Sequence, residues 1–393
     1  MITLHIFANS FWNTGQGMTG GDKRILEILK RWDKNTSLPF TCVVYAPQKF
    51  VNMLSDEGIS HISFKITSTG SSETRGIISS YIIHTCKALT MIPYFKGDCC
   101  FYATSDFFTD TVPCVVGKLL NRKAKWISLI HHIIESYRTR PGKKIVNFIS
   151  YCSQRLSLLL ISLFSDKILV VSPLVKTYLS RKKSCRNKLI LVNNGVDVAY
   201  ISKLSPYTEP DRKYDAVMLA RLAPSKGIFD LPDLWAAVCS KNPGARLALI
   251  GGGSEEIILQ LKKMFLDKGI SSNVDILGYL DNESTYRYLK SARLFLFTSR
   301  EEGWGISIAE AMACGLPVVA FELPVYKYVF PVGGIWIANR DIQKISEAIL
   351  NMLQNGPLRQ KYASLGNQYV TGKYDWSSVA ESEMKELLIE MGR

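Results

Sequence analysis

Short apolar runs and helix-length segments alternate along almost the whole chain, in two series. The first holds ITLHIFA (2–8), TCVVYA (41–46), CCFYAT (99–104), WISLI (126–130), KILVV (167–171) and KLILV (188–192). Helical patterns lie between several of them, near Asp22–Trp32 and Ile145–Phe164. Such runs read as strands buried on both faces, and strand–helix alternation demands a parallel sheet covered by helices. A polar stretch with two prolines and no period follows, AYISKLSPYTEPDRK (199–213), and reads as a linker. The second series is YDAVMLA (214–220), ARLALIG (245–251), VDILGY (274–279), RLFLFT (293–298), PVVAF (317–321) and GIWIA (334–338), with helices fitting Glu255–Lys268 and Ser284–Ser291. The expected class is α/β, with two doubly wound, Rossmann-like domains, 1–200 and 201–375. Ligands of such sheets bind at the carboxyl ends of the strands, so the domains are expected to face each other across a cleft that holds the site.

Composition narrows the alternatives. At 47% hydrophobic and 21% charged residues the chain can bury full cores, which excludes disorder. No heptad run or 20–50-residue repeat points to a coiled coil or solenoid. The nine cysteines are scattered, Cys99 and Cys100 are adjacent, and no C-x-x-C occurs. That is neither a disulfide framework nor a zinc site, and reduced thiols of a cytoplasmic protein are expected. Met1 leads into an apolar strand without a basic n-region, so no secretory signal is expected. The most apolar stretch, Ile145–Phe164, carries Asn147, Ser150, Gln154 and Ser157 at helical spacing with Arg155 beside them. It reads as an amphipathic helix packed on a sheet rather than a membrane span.

The charge is lopsided. Residues 1–200 hold 26 Lys+Arg and 12 Asp+Glu, a net +14, whereas residues 201–393 hold 22 of each. The excess clusters in KLLNRKAK (Lys118–Lys125), RTRPGKK (Arg138–Lys144) and RKKSCRNK (Arg181–Lys188). One reading is a solvated face. The other is an anionic partner: membrane headgroups or a phosphorylated acceptor. None of the clusters sits in a nucleic-acid module, so no nucleic acid is expected. The second reading predicts a peripheral location on the inner face of the membrane, with Ile77–Ile83 and Ile145–Phe164 available for shallow insertion.

The chemistry gathers in the second half. The strand YDAVMLA ends in Arg221-Leu-Ala-Pro-Ser-Lys226-Gly227. Two cations five residues apart on the loop leaving a parallel strand can converge on one anion, or simply be solvated. RLFLFTS then leads into REEGWGISIAEAMACGLPVVAF (300–321). Gly305–Cys314 reads as a helix closed by Gly315, with Glu302 on the loop before it and Glu310 inside it. Backbone N–H groups of Gly303, Trp304, Gly305 and Ile306 would face an anion at the helix start. A nucleotide diphosphate sugar satisfies this pattern, its phosphates at the helix N-terminus, a sugar hydroxyl on Glu302 and the ribose diol on Glu310; the alternative is a capped amphipathic helix whose two Glu are solvated. No cluster of Asp or His suggests a metal.

Arg221-x4-Lys226-Gly227 followed by Glu302-Gly303-Trp304-Gly305-Ile306-x3-Glu310-Ala311 resembles the family 4 retaining glycosyltransferases of GT-B fold. The resemblance extends to Gly20-Gly21, similar to the family's donor-sugar loop, to His131 in WISLIHH, to LVNNGVD (191–197), to ALIGGG (248–253) and to YDW (374–376). Ala220, His132 and the segment ELPVYKYVFPVGG depart from the family pattern, and residues 50–98 match nothing assignable.

The resemblance implies a closing helix, 376–393, that packs back on an acceptor-binding first domain, and a second domain that binds the nucleotide sugar. It implies sugar transfer with retention to a glycan, lipid-linked or otherwise, or another hydroxyl acceptor, with no metal or bound cofactor. Arg221 and Lys226 would neutralise the leaving diphosphate and Glu302 would orient the sugar. Glu310 would hold the ribose, and Gly278, Tyr279 and Leu280 would line the base, with Tyr279 alternatively a buried structural residue. His131 would contact the sugar or support the transition state, or else be a satisfied core histidine. The competing readings are a GT-B sugar-nucleotide epimerase and a silent nucleotide-sugar-binding subunit.

Overall fold

The computed structural model describes residues 2–10, 18–35, 38–69, 77–90, 97–134, 136–138, 140, 144–207 and 214–392. Within them β1 and Met18–Asn194 form one compact unit together with Trp376–Arg393, and Gly195–Asp375 forms a second.

The strands of the first unit are β1 (Thr3–Phe7), β2 (Thr41–Pro47), β3 (Ser63–Ser68), β4 (Cys99–Ala103), β5 (Lys125–Ile130), β6 (Lys167–Val170) and β7 (Leu189–Leu191). Its helices are α1 (Gly20–Asp33), α2 (Gln48–Asp56), α3 (Ile77–Leu89), α4 (Phe108–Leu120), α5 (Lys144–Phe164) and α6 (Pro173–Ser180). The strands pair in parallel in the order β3-β2-β1-β4-β5-β6-β7. Phe7, Phe101, Trp126, Ile130, Ile168 and Val170 supply the core under α4, α5 and α6. β3 is the strand without a counterpart in the sequence reading. It lies at the sheet edge, where Ser63, Lys65 and Ile66 are exposed and the apolar run is lost.

The second unit begins with α7 (Val198–Lys203) and β8 (Tyr214–Leu219), followed by α8 (Leu231–Lys241), β9 (Leu247–Ile250), α9 (Glu255–Asp267), β10 (Val274–Gly278) and α10 (Asn282–Ser291). Then come β11 (Ala292–Phe297), α11 (Ile306–Ala313), β12 (Val318–Phe321), α12 (Tyr326–Val329), β13 (Gly334–Ile337), α13 (Ile342–Gln354) and α14 (Gly356–Lys373). Its sheet is also parallel, in the order β10-β9-β8-β11-β12-β13. The stretch read as linker is in part structured: α7 occupies its start, and 208–213 lies outside the described residues. Val196 is tied to this unit by its N–H, which donates to Tyr374 O at 2.7 Å.

The last helix, α15 (Trp376–Glu390), belongs to the first unit. Glu383 sits in its buried face, paired with the Arg24 guanidinium of α1 and accepting from the Tyr102 hydroxyl at 2.6 Å. Trp32 Nε1 donates to Ala380 O at 3.0 Å. Removing one partner of a buried ion pair costs roughly 3–5 kcal/mol, so loss of Arg24 or Glu383 alone would loosen α15 from α1.

The polar stripe of α5 turns inward, beside the core residues Leu158 and Ile161. Asn147, Gln154 and Ser157 point inward and are buried. Gln154 Oε1 accepts from Ile134 N–H at 2.8 Å, and its amide donates to Asp106 Oδ2 at 2.7 Å and to His132 O at 2.9 Å. Asn147 donates to Arg140 O at 2.9 Å. Buried polar groups need such partners, and for Asn147 and Gln154 the loop backbone and Asp106 supply them. The apolar residues of the opposite face are left outside.

Candidate functional site

In a doubly wound sheet the ligand crevice forms at the carboxyl ends of the two strands where the winding reverses. In the second unit those strands are β8 and β11, which pair directly, with Val217 opposite Phe295. The loop after β8 carries Arg221 and Lys226, and the loop after β11 carries Glu302.

These two loops are stitched together by the backbone. Arg300 N–H donates to Ser225 O at 2.9 Å, and Thr298 Oγ1 donates to Lys226 O at 3.0 Å. Gly227 makes the close approach feasible. Its φ is 67°, and a Cβ there would lie 2.0 Å from Thr298 O. The result is a direct contact: Lys226 Nζ donates to Glu302 Oε1 at 2.6 Å, with both side chains partly exposed. Arg221 stands at the start of the same loop, exposed and without an ion pair among the described residues. Its neighbour Leu222 donates its N–H to Gly252 O at 2.8 Å, which joins the glycine loop after β9 to this edge of the site.

Helix α11 starts at Ile306, with Gly305 at φ 103° as its N-cap residue. The first N–H groups of a helix find no carbonyl within it, so Ile306 and Ser307 present donors at the crevice end of β11. Trp304 contributes through its backbone alone. Its ring is buried edge-on against Tyr374 at 4.8 Å and Phe330 at 5.3 Å, which anchors the Gly303–Gly305 turn. Glu310 is 4% exposed, about one turn into α11, and the Tyr286 hydroxyl of α10 donates to its Oε1 at 2.8 Å. Gly278 ends β10 at φ 71°, and Gly251 N–H donates to its carbonyl at 2.7 Å. Tyr279 is 46% exposed, which removes the alternative of a buried structural tyrosine, and Leu280 beside it is half-buried.

Arg340, Asp230 and Tyr286 escaped the sequence reading. Arg340 follows β13 and sits at φ 53°, directly after Asn339 at φ 57°. Two successive non-glycine residues in the left-handed region are strained, and such strain persists only where surroundings impose it. Here the guanidinium donates to Thr298 O at 2.8 Å and Ser299 O at 3.1 Å and pairs with Asp230. Asp230 also accepts from Arg300 at 2.7 and 2.9 Å. Burial pulls the Arg340 guanidinium below the ordinary arginine value, against the attraction of Asp230. The pair thus clamps the segment between β11 and Glu302 against the loop that carries Lys226. The only advance signal was Asn339, a residue type tolerant of positive φ.

The first unit brings together Gly20, Gly21 and His131. α1 opens at Gly20, and its N-cap Thr19 forms a capping box with Asp22. A Cβ on Gly21 would lie 3.3 Å from His131 Nε2. That nitrogen is 2.9 Å from Thr104 O, an acceptor only, so it carries the proton and leaves Nδ1 as the acceptor. Burial first, then the Arg24 charge, lowers the His131 pKa to about 4, which keeps the ring neutral. Among the described residues no three His, Cys, Asp or Glu side chains group as a metal would require.

Several known proteins are similar. One is the poly(glycerol-phosphate) alpha-glucosyltransferase of Bacillus subtilis, 29% identical over 193 residues, which cover 46% of this chain and 28% of the relative. Another is the phosphatidyl-myo-inositol mannosyltransferase of Mycobacterium leprae, 30% identical over 199 residues, covering 49% of this chain and 52% of the relative. The match thus spans about half, or less, of the length of these relatives. Among solved structures, Anabaena Alr3699/HepE in complex with UDP and glucose superposes with a TM-score of 0.74 at 17% identity, covering 98% of this chain and 99% of that one. A likeness of that extent shows the fold, which is GT-B. Residues 203–368, which hold Arg221, Lys226, Glu302 and Glu310, match the family model described as glycosyl transferases group 1.

Proposed function

We propose that this protein is a glycosyltransferase that moves a sugar from a nucleotide diphosphate sugar to a hydroxyl of a glycan or lipid-linked acceptor, with retention and without a metal. The observation that carries the reading is the Lys226–Glu302 contact at the β8/β11 crossover, within a region that matches a glycosyl transferase family. In this reading the bond from the anomeric carbon to the diphosphate breaks and a bond to the acceptor oxygen forms. The electron pair leaves with the diphosphate, which takes up the proton the acceptor hydroxyl gives up, and Lys226 and Arg221 meet the developing charge in place of a metal ion. Glu302 orients the sugar hydroxyls and Glu310 takes the ribose diol. The backbone donors of Gly303–Ile306 face the phosphates, and Gly278–Leu280 lines the base. His131, neutral and beside Gly21, lies in the first unit's own loop cluster.

The relatives' printed names support an anionic, chain-like or lipid acceptor, since one acts on poly(glycerol-phosphate) and the other on phosphatidyl-myo-inositol. The strongly basic first unit fits such an acceptor, and it fits a cytoplasmic protein held peripherally at the membrane.

A thermal-shift screen of UDP-, GDP- and ADP-sugars identifies the donor. Transfer is then followed with that donor, with and without EDTA, and the anomeric configuration of the product is read by proton NMR. Retained configuration and undiminished transfer in EDTA are expected. Inversion, or loss of transfer in EDTA restored by Mg²⁺ or Mn²⁺, overturns the corresponding part of the reading.

A further inference from the structure

Helix α5 leaves Ile145, Phe148, Cys152, Leu156, Leu159 and Leu163 exposed, at spacings of three and four residues. That is one continuous apolar stripe along five turns of helix. Its reverse side is fixed in the fold: Leu158 and Ile161 are core residues, Arg155 donates to the Tyr178 hydroxyl of α6, and Gln154 is hydrogen-bonded to loops on its inner side. The length and composition would suffice to cross a membrane, but the built-in inner face means the helix lies along a surface instead.

Exposed cations stand at the ends of α4 and α6, the helices that α5 contacts. The end of α4 is joined to the end of α5 by Lys118 and Asp166, 2.7 Å apart, and exposed Arg122 and Lys123 follow there with exposed Leu119 and Leu120. Beyond α6 stand exposed Arg181, Lys183 and Arg186, none ion-paired among the described residues. Residues 108–191 hold 16 Lys and Arg against 3 Asp and Glu, and of those acids Asp110 is buried and Asp166 is paired with Lys118. Against a second copy of the chain the stripe would set these cations opposite one another, whereas an anionic bilayer complements both features at once.

We propose that the exposed face of α5 is the membrane-seating surface of this protein, its apolar stripe in the headgroup–acyl boundary of an anionic leaflet and these cations on the headgroups. The proposal rests on the membrane-linked part of the functional reading above and gives it a location.

The test is flotation of the full chain with phosphatidylcholine vesicles, with and without phosphatidylglycerol. The salt range of 0.1 to 1 M shortens the Debye length from ~10 Å to ~3 Å. Binding should require phosphatidylglycerol and fall with salt. Leu159→Gln with Leu163→Gln should lower the bound fraction about tenfold with an unchanged circular dichroism spectrum and melting temperature. Arg122→Gln with Lys123→Gln should weaken binding at low salt only. In a Cys86→Ser background, an environment-sensitive fluorophore on Cys152 should shift to the blue with anionic vesicles. Undiminished flotation of the leucine variant, or no spectral shift, overturns the proposal. So does a dimer in sedimentation that the leucine changes dissolve, with no flotation, because it makes a second copy the occupant. Thermal shifts with the nucleotide sugar should be the same in wild type and every variant, so failure here is separable from failure of the sugar-transfer reading.

Discussion

The Lys226 ammonium lies 2.6 Å from the Glu302 carboxylate, although 76 residues separate them in the chain. Each is therefore held by the other before any donor arrives. Lys226→Ala removes the charge that would meet the leaving diphosphate and also frees Glu302. kcat should fall ~10²-fold or more, about 3 kcal/mol of transition-state stabilisation. Arg221→Ala should fall by a similar factor. Glu302→Gln keeps an acceptor for Lys226 and should lower kcat with little change in donor KM. Initial rates against donor concentration separate these cases, and near-wild-type rates for the Lys226 and Arg221 variants would sink the assignment.

Tyr286 and Glu310 make a different prediction. Glu310→Gln should raise donor KM more than it lowers kcat, because a ribose contact is made equally in ground and transition states. Tyr286→Phe removes the hydroxyl that orients Glu310 Oε1. It should raise KM in the same direction and cost about 1–3 kcal/mol of stability, since a buried acceptor loses a donor. Paired measurements of KM and melting temperature test both. A kcat effect with unchanged KM would place Glu310 at the reacting sugar rather than the ribose.

The Arg340–Asp230 pair positions the loops without reaching the donor side chains. Arg340→Ala removes the donors to Thr298 O and Ser299 O and leaves Asp230 to Arg300 alone. A drop of about 2–3 kcal/mol in stability is expected from the lost buried bonds. kcat should fall about tenfold through displacement of Glu302 and Lys226. Arg340→Lys supplies one point charge in place of a planar fork and should recover only part of both. Wild-type kcat in a clearly destabilised Arg340→Ala would show that the clamp stabilises the fold without setting the site.

What was legible in the sequence, and what was not, follows the range of the interactions. Buried parallel strands such as LALI (247–250) and VVAF (318–321) announce themselves because both faces are apolar. β3 does not, because an edge strand is solvated on one side. The stripe on α5 was readable as a period, but its orientation was not. Which face turns inward was decided by Ile134 N–H, Asp106 and His132 O, partners 20 to 48 residues away. Lys226 and Glu302 could be picked out by residue type and loop position. Arg340 could not: its partner Asp230 lies 110 residues upstream, and neither belongs to a motif. Trp304 was recognisable as part of the turn, while its burial among Phe330 and Tyr374 depended on elements far along the chain.

Asp110 provides a test of the first unit by pH. Its carboxyl is fully buried in α4, accepts from Asn9 N–H at 2.7 Å and from Ser105 Oγ at 2.6 Å, and is raised by desolvation to a pKa of about 7. The unfolded value is about 3.9. Between these two values the folded chain binds more protons than the unfolded one, so stability falls as pH rises. The contribution is fully present below about pH 4 and is lost as pH passes through 7. At about 1.4 kcal/mol per unit the effect is of order 2–4 kcal/mol. Asp110→Asn keeps an acceptor for Asn9 and offers Ser105 a donor in place of the acidic proton. It should therefore match the wild type near pH 4 and melt several degrees higher at pH 8. Thermal denaturation of both proteins across that range checks this. A variant less stable than wild type at pH 8 would mean that the ionised carboxylate is the form the fold prefers.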